Sequence, residues 1–162
     1  MGCTVSQDVK DEYEGQRGKH GMRHGMGTLR YRNGNVYKGQ FNQNNIHGFG
    51  VMTWNNGNIY EGMWNLNVRE GKGVFTSNTG HVYEGECKAD MANGQGKMVY
   101  ANGDVYQGQW VDDVREGPGK MIFKETGSTY EVRILSCLNH YHYHHSPPSF
   151  YGILTSSFQS LI

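Results

Sequence analysis

Aromatic, glycine and polar residues alternate along most of this chain. In the stretch 37–41, YKGQF, a ring, a glycine and a second ring occupy every other position, so a strand would place all three on one face. The stretch 48–54, GFGVMTW, places two glycines, a methionine and an indole in the same alternation. Both stretches predict β-strands that have one aromatic and glycine face and one polar face.

This pair of predicted strands repeats every 23 residues, after a first step of 24. Each repeat begins with a tyrosine followed two residues later by a glycine, continues with Gly-x-Gly, and ends with one more glycine. A short fixed period indicates a stacked array of small units. The repeats begin at Tyr13, Tyr37, Tyr60, Tyr83 and Tyr106, and a partial repeat begins at Tyr130.

A turn signal follows the second strand of each repeat. Asn33-Gly34, Asn56-Gly57 and Asn102-Gly103 tolerate positive φ, which predicts tight hairpin turns, and Thr79-Gly80 and Thr126-Gly127 are weaker signals. The predicted fold class is therefore all-β: an elongated, single-layer, twisted antiparallel sheet built from about five consecutive β-hairpin repeats. In such a sheet, glycines leave slots in which neighbouring rings are buried without a second layer.

The unit Tyr-x-Gly, eight residues, Gly-x-Gly, six residues, Gly resembles the MORN (membrane occupation and recognition nexus) repeat over residues 13–131. The resemblance implies an extended single-layer sheet and a scaffold that binds proteins, often in cortical, junctional or ciliary structures. Arg17 and Cys87 depart from the pattern, because other repeats have an aromatic residue there. The predicted organisation is an N-terminal leader (1–12), the array (13–131, with units starting at 13, 37, 60, 83 and 106 and a partial unit at 130) and a non-repeat tail (132–162).

The aromatic face is the first candidate binding site. Its rings are predicted to line a groove along the sheet, suited to a helix or an extended peptide of a protein partner. The alternative interpretation is that the rings form the core. The candidate groove residues are Tyr37, Phe41, Trp54, Tyr60, Trp64, Tyr83, Tyr100, Tyr106 and Trp110.

The N-terminus is the second candidate. Gly2 followed by Ser6 fits the N-myristoylation pattern, and Cys3 offers a thiol for palmitoylation. One myristoyl chain binds membranes only marginally, so a second acyl chain or a basic patch is needed for stable attachment.

The charge distribution provides such a patch. Residues 15–60 contain six basic residues and no acidic one, whereas residues 61–131 contain eleven acidic and seven basic residues. We predict that the basic residues contact an anionic membrane surface, the alternative being a solvated surface without a ligand. They are Arg17, Lys19, Arg23, Arg30, Arg32 and Lys38.

Other kinds of chemistry have weaker support. The carboxylates of the array have no partner acid, base or nucleophile at a defined spacing, and the glycines lack the lysine and serine or threonine of a phosphate loop, so neither an enzyme nor a cofactor is predicted. The formal net charge of zero argues against nucleic acid. Three unpaired cysteines indicate a reducing compartment. His140, His142 and His144 are weak metal candidates, because a strand would place them on one face; a compositionally biased terminus is the alternative.

Together these features predict a non-enzymatic, membrane-attached scaffold or adaptor that presents an aromatic groove to a protein partner. It would be a peripheral, lipid-anchored protein on the cytoplasmic face of a membrane. The alternative is a lipid-independent structural component of a ciliary or cortical cytoskeletal assembly, in which homodimers form through the sheet ends.

Overall fold

The structure, a computed structural model, describes residues 10–135 and 140–144, without the side chains of residues 135 and 140–144. These residues form one antiparallel sheet of twelve strands, in which each strand pairs with its neighbours in sequence. This meander confirms the predicted fold class. The strands are Glu12–Arg17 (β1), Arg23–Arg30 (β2), Val36–Asn42 (β3), Asn45–Thr53 (β4), Ile59–Asn65 (β5), Val68–Thr76 (β6), Val82–Lys88 (β7), Met91–Val99 (β8), Val105–Val111 (β9), Val114–Ile122 (β10), Thr129–Leu135 (β11) and His140–His144 (β12), with a 3₁₀ turn at Lys19–Gly21.

The sheet continues past residue 131, where the repeat pattern ends. β11 runs across this position, and β12 pairs antiparallel with β11. Val132 occupies the position that a glycine has in the complete repeats, and it is buried opposite Gly119 of β10. The sheet extends here because backbone pairing needs extended strands and not the repeat's own side chains.

The two faces of the sheet differ in burial because side chains alternate along each strand. We call the side on which the repeat tyrosines pack the aromatic face and the opposite side the back face. All buried hydrophobic side chains of the described core alternate in register with these tyrosines or lie beside them. The hydrophobic core therefore lies on one side of a single-layer sheet.

Paired glycines create the slots that make this core possible. Gly39 of β3 lies opposite Gly50 of β4, and the ring of Tyr37 lies across both. A Cβ atom added to Gly50 would lie 2.2 Å from Tyr37 Oη and 2.5 Å from Cζ. Only a residue without a side chain permits this approach.

Tight turns join the strands both between repeats and within them. The predicted turns at Asn-Gly are confirmed: the Gly34 N–H donates to the Tyr31 carbonyl and the Tyr31 N–H donates to the Asn35 carbonyl, both at 2.9 Å, and Gly34 has a φ of +89°. Only the glycine has positive φ, because Asn33 does not adopt it. A second set of tight turns, which the sequence analysis did not predict, joins the two strands of each repeat from the second to the fifth. These turns lie at Gln43-Asn44, Leu66-Asn67, Ala89-Asp90 and Asp112-Asp113, where both residues have positive φ, as a type I′ turn requires.

Turn side chains also connect successive hairpins. Asn44 Oδ1 accepts a hydrogen bond from the backbone N–H of Arg23 at 2.8 Å. The same bond recurs 23 residues apart and joins Asn67 to Ile46, Asp90 to Arg69 and Asp113 to Ala92. Sequence reasoning missed this role, although the spacing of asparagine and aspartate at positions 44, 67, 90 and 113 was visible.

Candidate binding surfaces

The rings of the aromatic face form a continuous ladder in the first half of the array. Tyr37 packs edge-to-face against Phe41 and Trp64, with centroid distances of 5.1 and 5.8 Å, and Trp64 packs in the same way against Tyr60 at 5.2 Å. The Trp64 indole Nε1–H also donates to the Gly50 carbonyl at 3.3 Å. Edge-to-face pairs of this kind add to the stability that area burial provides.

The tyrosine hydroxyls of the ladder are satisfied within their own strands. The Tyr37 hydroxyl donates to the Gln40 carbonyl at 3.0 Å, and the Tyr83 hydroxyl donates to the Glu86 carbonyl at 2.8 Å. Burial raises the pKa of Tyr37, Tyr60 and Tyr83 well above the ordinary tyrosine value. These phenols therefore stay neutral and serve as structural anchors.

The burial of these rings corrects the predicted groove. Tyr37, Tyr60 and Tyr106 are 0% exposed, so they have no surface to offer a partner. Phe41, Trp64, Tyr83 and Trp110 are buried as well, because each ring covers the next along the ladder. Only Trp54 and Tyr100 of the nine candidates are partly exposed, and both lie in loops that follow a strand.

Cys87 interrupts the ladder. It occupies the position of Phe41, Trp64 and Trp110 in the other repeats, and its cross-strand partner is the small residue Ala92. The aromatic packing resumes only at Tyr83 and Trp110, whose centroids are 5.4 Å apart. Burial raises the pKa of the Cys87 thiol, so this cysteine is a poor nucleophile in the folded protein.

The six predicted membrane-contacting residues surround the N-terminal end of the sheet and do not share one face. Arg17 and Arg23 lie on the aromatic face, over the Tyr13 ring. Strand alternation places Arg30 and Lys38 on the back face. Lys19 lies in the 3₁₀ turn, and Arg32 lies in the loop between β2 and β3.

The back face carries exposed apolar side chains that the sequence analysis interpreted as part of a polar face. Met26 is 56% exposed, Phe49 49% and Met63 41%, and Phe49 lies directly opposite Met63 in the register of β4 and β5. Ile59 and Val74 are also exposed on this face. We call Met26, Phe49, Ile59, Met63 and Val74 the back-face patch. The missed signal was an apolar residue between two glycines, as in GMG and GFG.

Several predicted site residues lie outside the described residues. Gly2 and Cys3 are among them, and for His140, His142 and His144 only the backbone, in β12, is described. Among the described side chains, no group of three or more histidine, cysteine or acidic residues is placed to hold a metal ion. No helix within the described ranges is both long enough and apolar enough to cross a membrane.

Comparison with known families agrees with this geometry. The family model of the MORN repeat matches five consecutive segments, residues 19–36, 37–59, 60–82, 83–105 and 106–125, which together cover about two thirds of the chain. The chain belongs to the MORN-repeat family. MORN repeats are generally involved in protein or membrane binding. A comparison with curated proteins finds no match to this chain.

Proposed function

We propose that this protein is a non-enzymatic, membrane-attached scaffold that binds a protein partner through the back-face patch. One observation carries this proposal: the core is on the aromatic face, and yet five apolar side chains remain exposed on the opposite face, of which Phe49 and Met63 are direct cross-strand neighbours. Clustered exposed apolar residues mark interaction sites more often than isolated ones do. The basic end of the array and the N-terminal acylation pattern supply the membrane contact.

The back-face patch fits a protein better than it fits an anionic membrane. Glu61 of β5 lies between Val51 and Val74 in the strand register, and Lys38 is the neighbour of Val51 on β3. Charges of both signs around apolar anchors suit a helix or an extended peptide with a mixed polar rim. The phenyl ring of Phe49 and the thioether of Met63 would be the central anchors of this contact.

The membrane contact would use two signals at the N-terminal end. Acylation at Gly2 and Cys3 supplies apolar chains, and exposed basic residues near an anionic leaflet add about 1 kcal/mol each. These residues surround the end of the sheet that carries the leader. The proposed location is therefore the cytoplasmic face of a membrane, to which the protein would be bound peripherally.

One single variant and two double variants test the two halves of this proposal. Gly2→Ala should move the full chain from the membrane fraction to the soluble fraction, and mass spectrometry of the native N-terminus should find the acyl group. Phe49→Ser with Met63→Ser should lose the protein partners recovered by cross-linking in cells. The matched control is Leu66→Ser with Val114→Ser, because these residues are 59% and 58% exposed but lie outside the patch. Equal loss in both double variants would reject the patch as the binding site.

A lipid-independent structural role is the second candidate, favoured by the open edge of the sheet. Within the described chain, β1 pairs with β2 alone, so one row of backbone groups at its outer edge is free to pair with another copy. This role predicts that the protein stays in the insoluble fraction after detergent extraction, even as Gly2→Ala. Release of both forms by detergent would reject it.

A further inference from the structure

Two arginines lie side by side at the N-terminal end of the aromatic face. Arg17 of β1 and Arg23 of β2 are direct cross-strand partners. The guanidinium carbon of Arg17 lies 4.9 Å from the centroid of the Tyr13 ring, and that of Arg23 lies 6.0 Å from the same centroid. Like charges directly opposite each other in a sheet are destabilising unless a counter-ion is present.

Among the described residues, no carboxylate forms an ion pair with either arginine. Arg17 Nη1 donates to the Gly21 carbonyl at 2.7 Å, and Arg23 Nη2 donates to the Asn44 carbonyl at 2.9 Å. The acidic residues of β1, Glu12 and Glu14, alternate with Tyr13 and therefore lie on the back face. Asp11, which precedes β1, accepts a hydrogen bond from the Arg32 N–H at 2.9 Å. Each guanidinium has five N–H donors, so the described residues leave most donors of both side chains available to a ligand.

A later repeat shows the position of Arg23 with its charge neutralised. Arg69, two repeats after Arg23, also lies over an aromatic ring, 5.5 Å from the centroid of Tyr60. Its turn partner is Asp90, which forms an ion pair with Arg69 Nε at 3.1 Å. The equivalent turn partner of Arg23 is the neutral Asn44. The backbone bond to the turn residue is nearly the same in both cases, 2.8 Å to Asn44 and 2.9 Å to Asp90. The first repeat therefore keeps the geometry and lacks the carboxylate.

We propose that Arg17 and Arg23 bind a phosphate group between them, with the exposed Lys19 as a third positive charge. Planar guanidinium groups bind phosphate oxygens through paired, charge-assisted hydrogen bonds. The Tyr13 ring orients both groups by cation–π contact, which reduces the ordering cost of binding. The phosphate belongs either to a lipid headgroup, in which case this inference rests on the proposed membrane attachment, or to a soluble molecule.

Variants of the full-length, unacylated chain test this site. Inorganic phosphate is titrated while the side-chain N–H signals of the arginines are followed by NMR. Arg17→Gln with Arg23→Gln should abolish the shifts. Asn44→Asp should weaken phosphate binding about tenfold, the effect of one charged contact of roughly 1.4 kcal/mol. Its fold should persist, since Asp90 occupies the equivalent turn position.

The matched control removes the same charge from the other face. Arg30→Gln with Lys38→Gln should leave phosphate binding within about twofold, because these residues lie on the back face. A non-specific attraction would instead weaken with any lost charge. If this control loses as much binding as Arg17→Gln with Arg23→Gln, or if Asn44→Asp has no effect, the site is rejected. The phosphate site is also rejected if inorganic phosphate causes no shift in the arginine N–H signals. This outcome rejects the site even if Gly2→Ala still releases the protein from membranes.

Vesicles separate the two sources of phosphate. Phosphatidylcholine vesicles containing phosphatidic acid are compared with vesicles containing phosphatidylserine at equal surface charge. Stronger sedimentation of the protein with phosphatidic acid, lost in Asn44→Asp, identifies a lipid phosphate. Equal sedimentation with both lipids, together with arginine shifts in inorganic phosphate, supports the site for a soluble phosphate.

Discussion

Replacing Gly50 by alanine tests the slot that the aromatic core depends on. The added Cβ would lie 2.2 Å from Tyr37 Oη and 2.5 Å from Cζ, whereas carbon atoms in contact are normally about 3.5–4.0 Å apart. The ring would have to move by more than 1 Å. Tyr37 is fully buried between Phe41 and Trp64, so the ladder has no room for that movement.

The expected cost follows from these contacts. Overpacking a rigid core costs about 1–3 kcal/mol, and losing the packing of a large aromatic side chain costs about 3–5 kcal/mol. Gly50 does not have positive φ, so alanine adds no backbone strain and the cost is steric. We expect Gly50→Ala to lower the free energy of unfolding by roughly 3 kcal/mol.

Gly27→Ala is the matched control. Its Cβ would also approach a tyrosine, 2.5 Å from Tyr13 Oη, but Tyr13 is only partly buried and lies on the first strand. This ring can move outward, so the cost should be about 1 kcal/mol. Urea denaturation followed by tryptophan fluorescence measures both values. Equal costs for the two variants, or a loss below about 1 kcal/mol for Gly50→Ala, would refute the slot argument.

Three further predictions concern the titratable groups. In a variant with Cys3→Ser and Cys137→Ser, Cys87 should react slowly with a thiol reagent in the folded state and fast in urea, because burial raises its pKa. Fast reaction in the native protein would contradict the burial of this side chain. The stability that the buried tyrosines contribute should be fully present below about pH 10 and should fall above it, because the unfolded chain then loses tyrosine protons that the folded protein retains. The free energy of unfolding should fall by up to about 1.4 kcal/mol per pH unit for each of Tyr37, Tyr60 and Tyr83. A urea midpoint that stays constant from pH 9 to 11 would contradict this. Asp90→Ala should cost about 1–2 kcal/mol in the same denaturation assay because it removes the bond to the Arg69 N–H, whereas Asp90→Asn should keep that bond and cost less; equal losses contradict this role.

The sequence predicted the sheet well because its signal is repeated five times. The alternation around Tyr37 and Tyr60 assigns the buried side of each strand. A one-residue error in this assignment would place the rings of the next repeat on the wrong face. The turn types were less predictable. Gln43 and Leu66 adopt positive φ without glycine, because the hairpin twist and the bonds of Asn44 and Asn67 to neighbouring strands impose it.

The binding surface was harder to predict than the fold. Composition cannot distinguish rings that cover one another from rings that line a groove, and only the edge-to-face contacts of Tyr37 with Phe41 and Trp64 show that these rings are covered. Phe49 and Met63 belong to different repeats, so their proximity depends on the pairing of β4 with β5. The contrast between Asn44 and Asp90 was present in the sequence, but it acquires meaning only when the partner arginines are located.

The hydrogen bonds that join each turn to the preceding hairpin have a consequence for folding during synthesis. Asn44 leaves the ribosome after Arg23 and bonds back to it, and every later turn bond has the same direction. Each strand also pairs only with its sequence neighbours. A new hairpin can therefore complete its contacts as it emerges, on a template formed by the previous one. Folding of this sheet would follow the pace of translation from its first strand to its last.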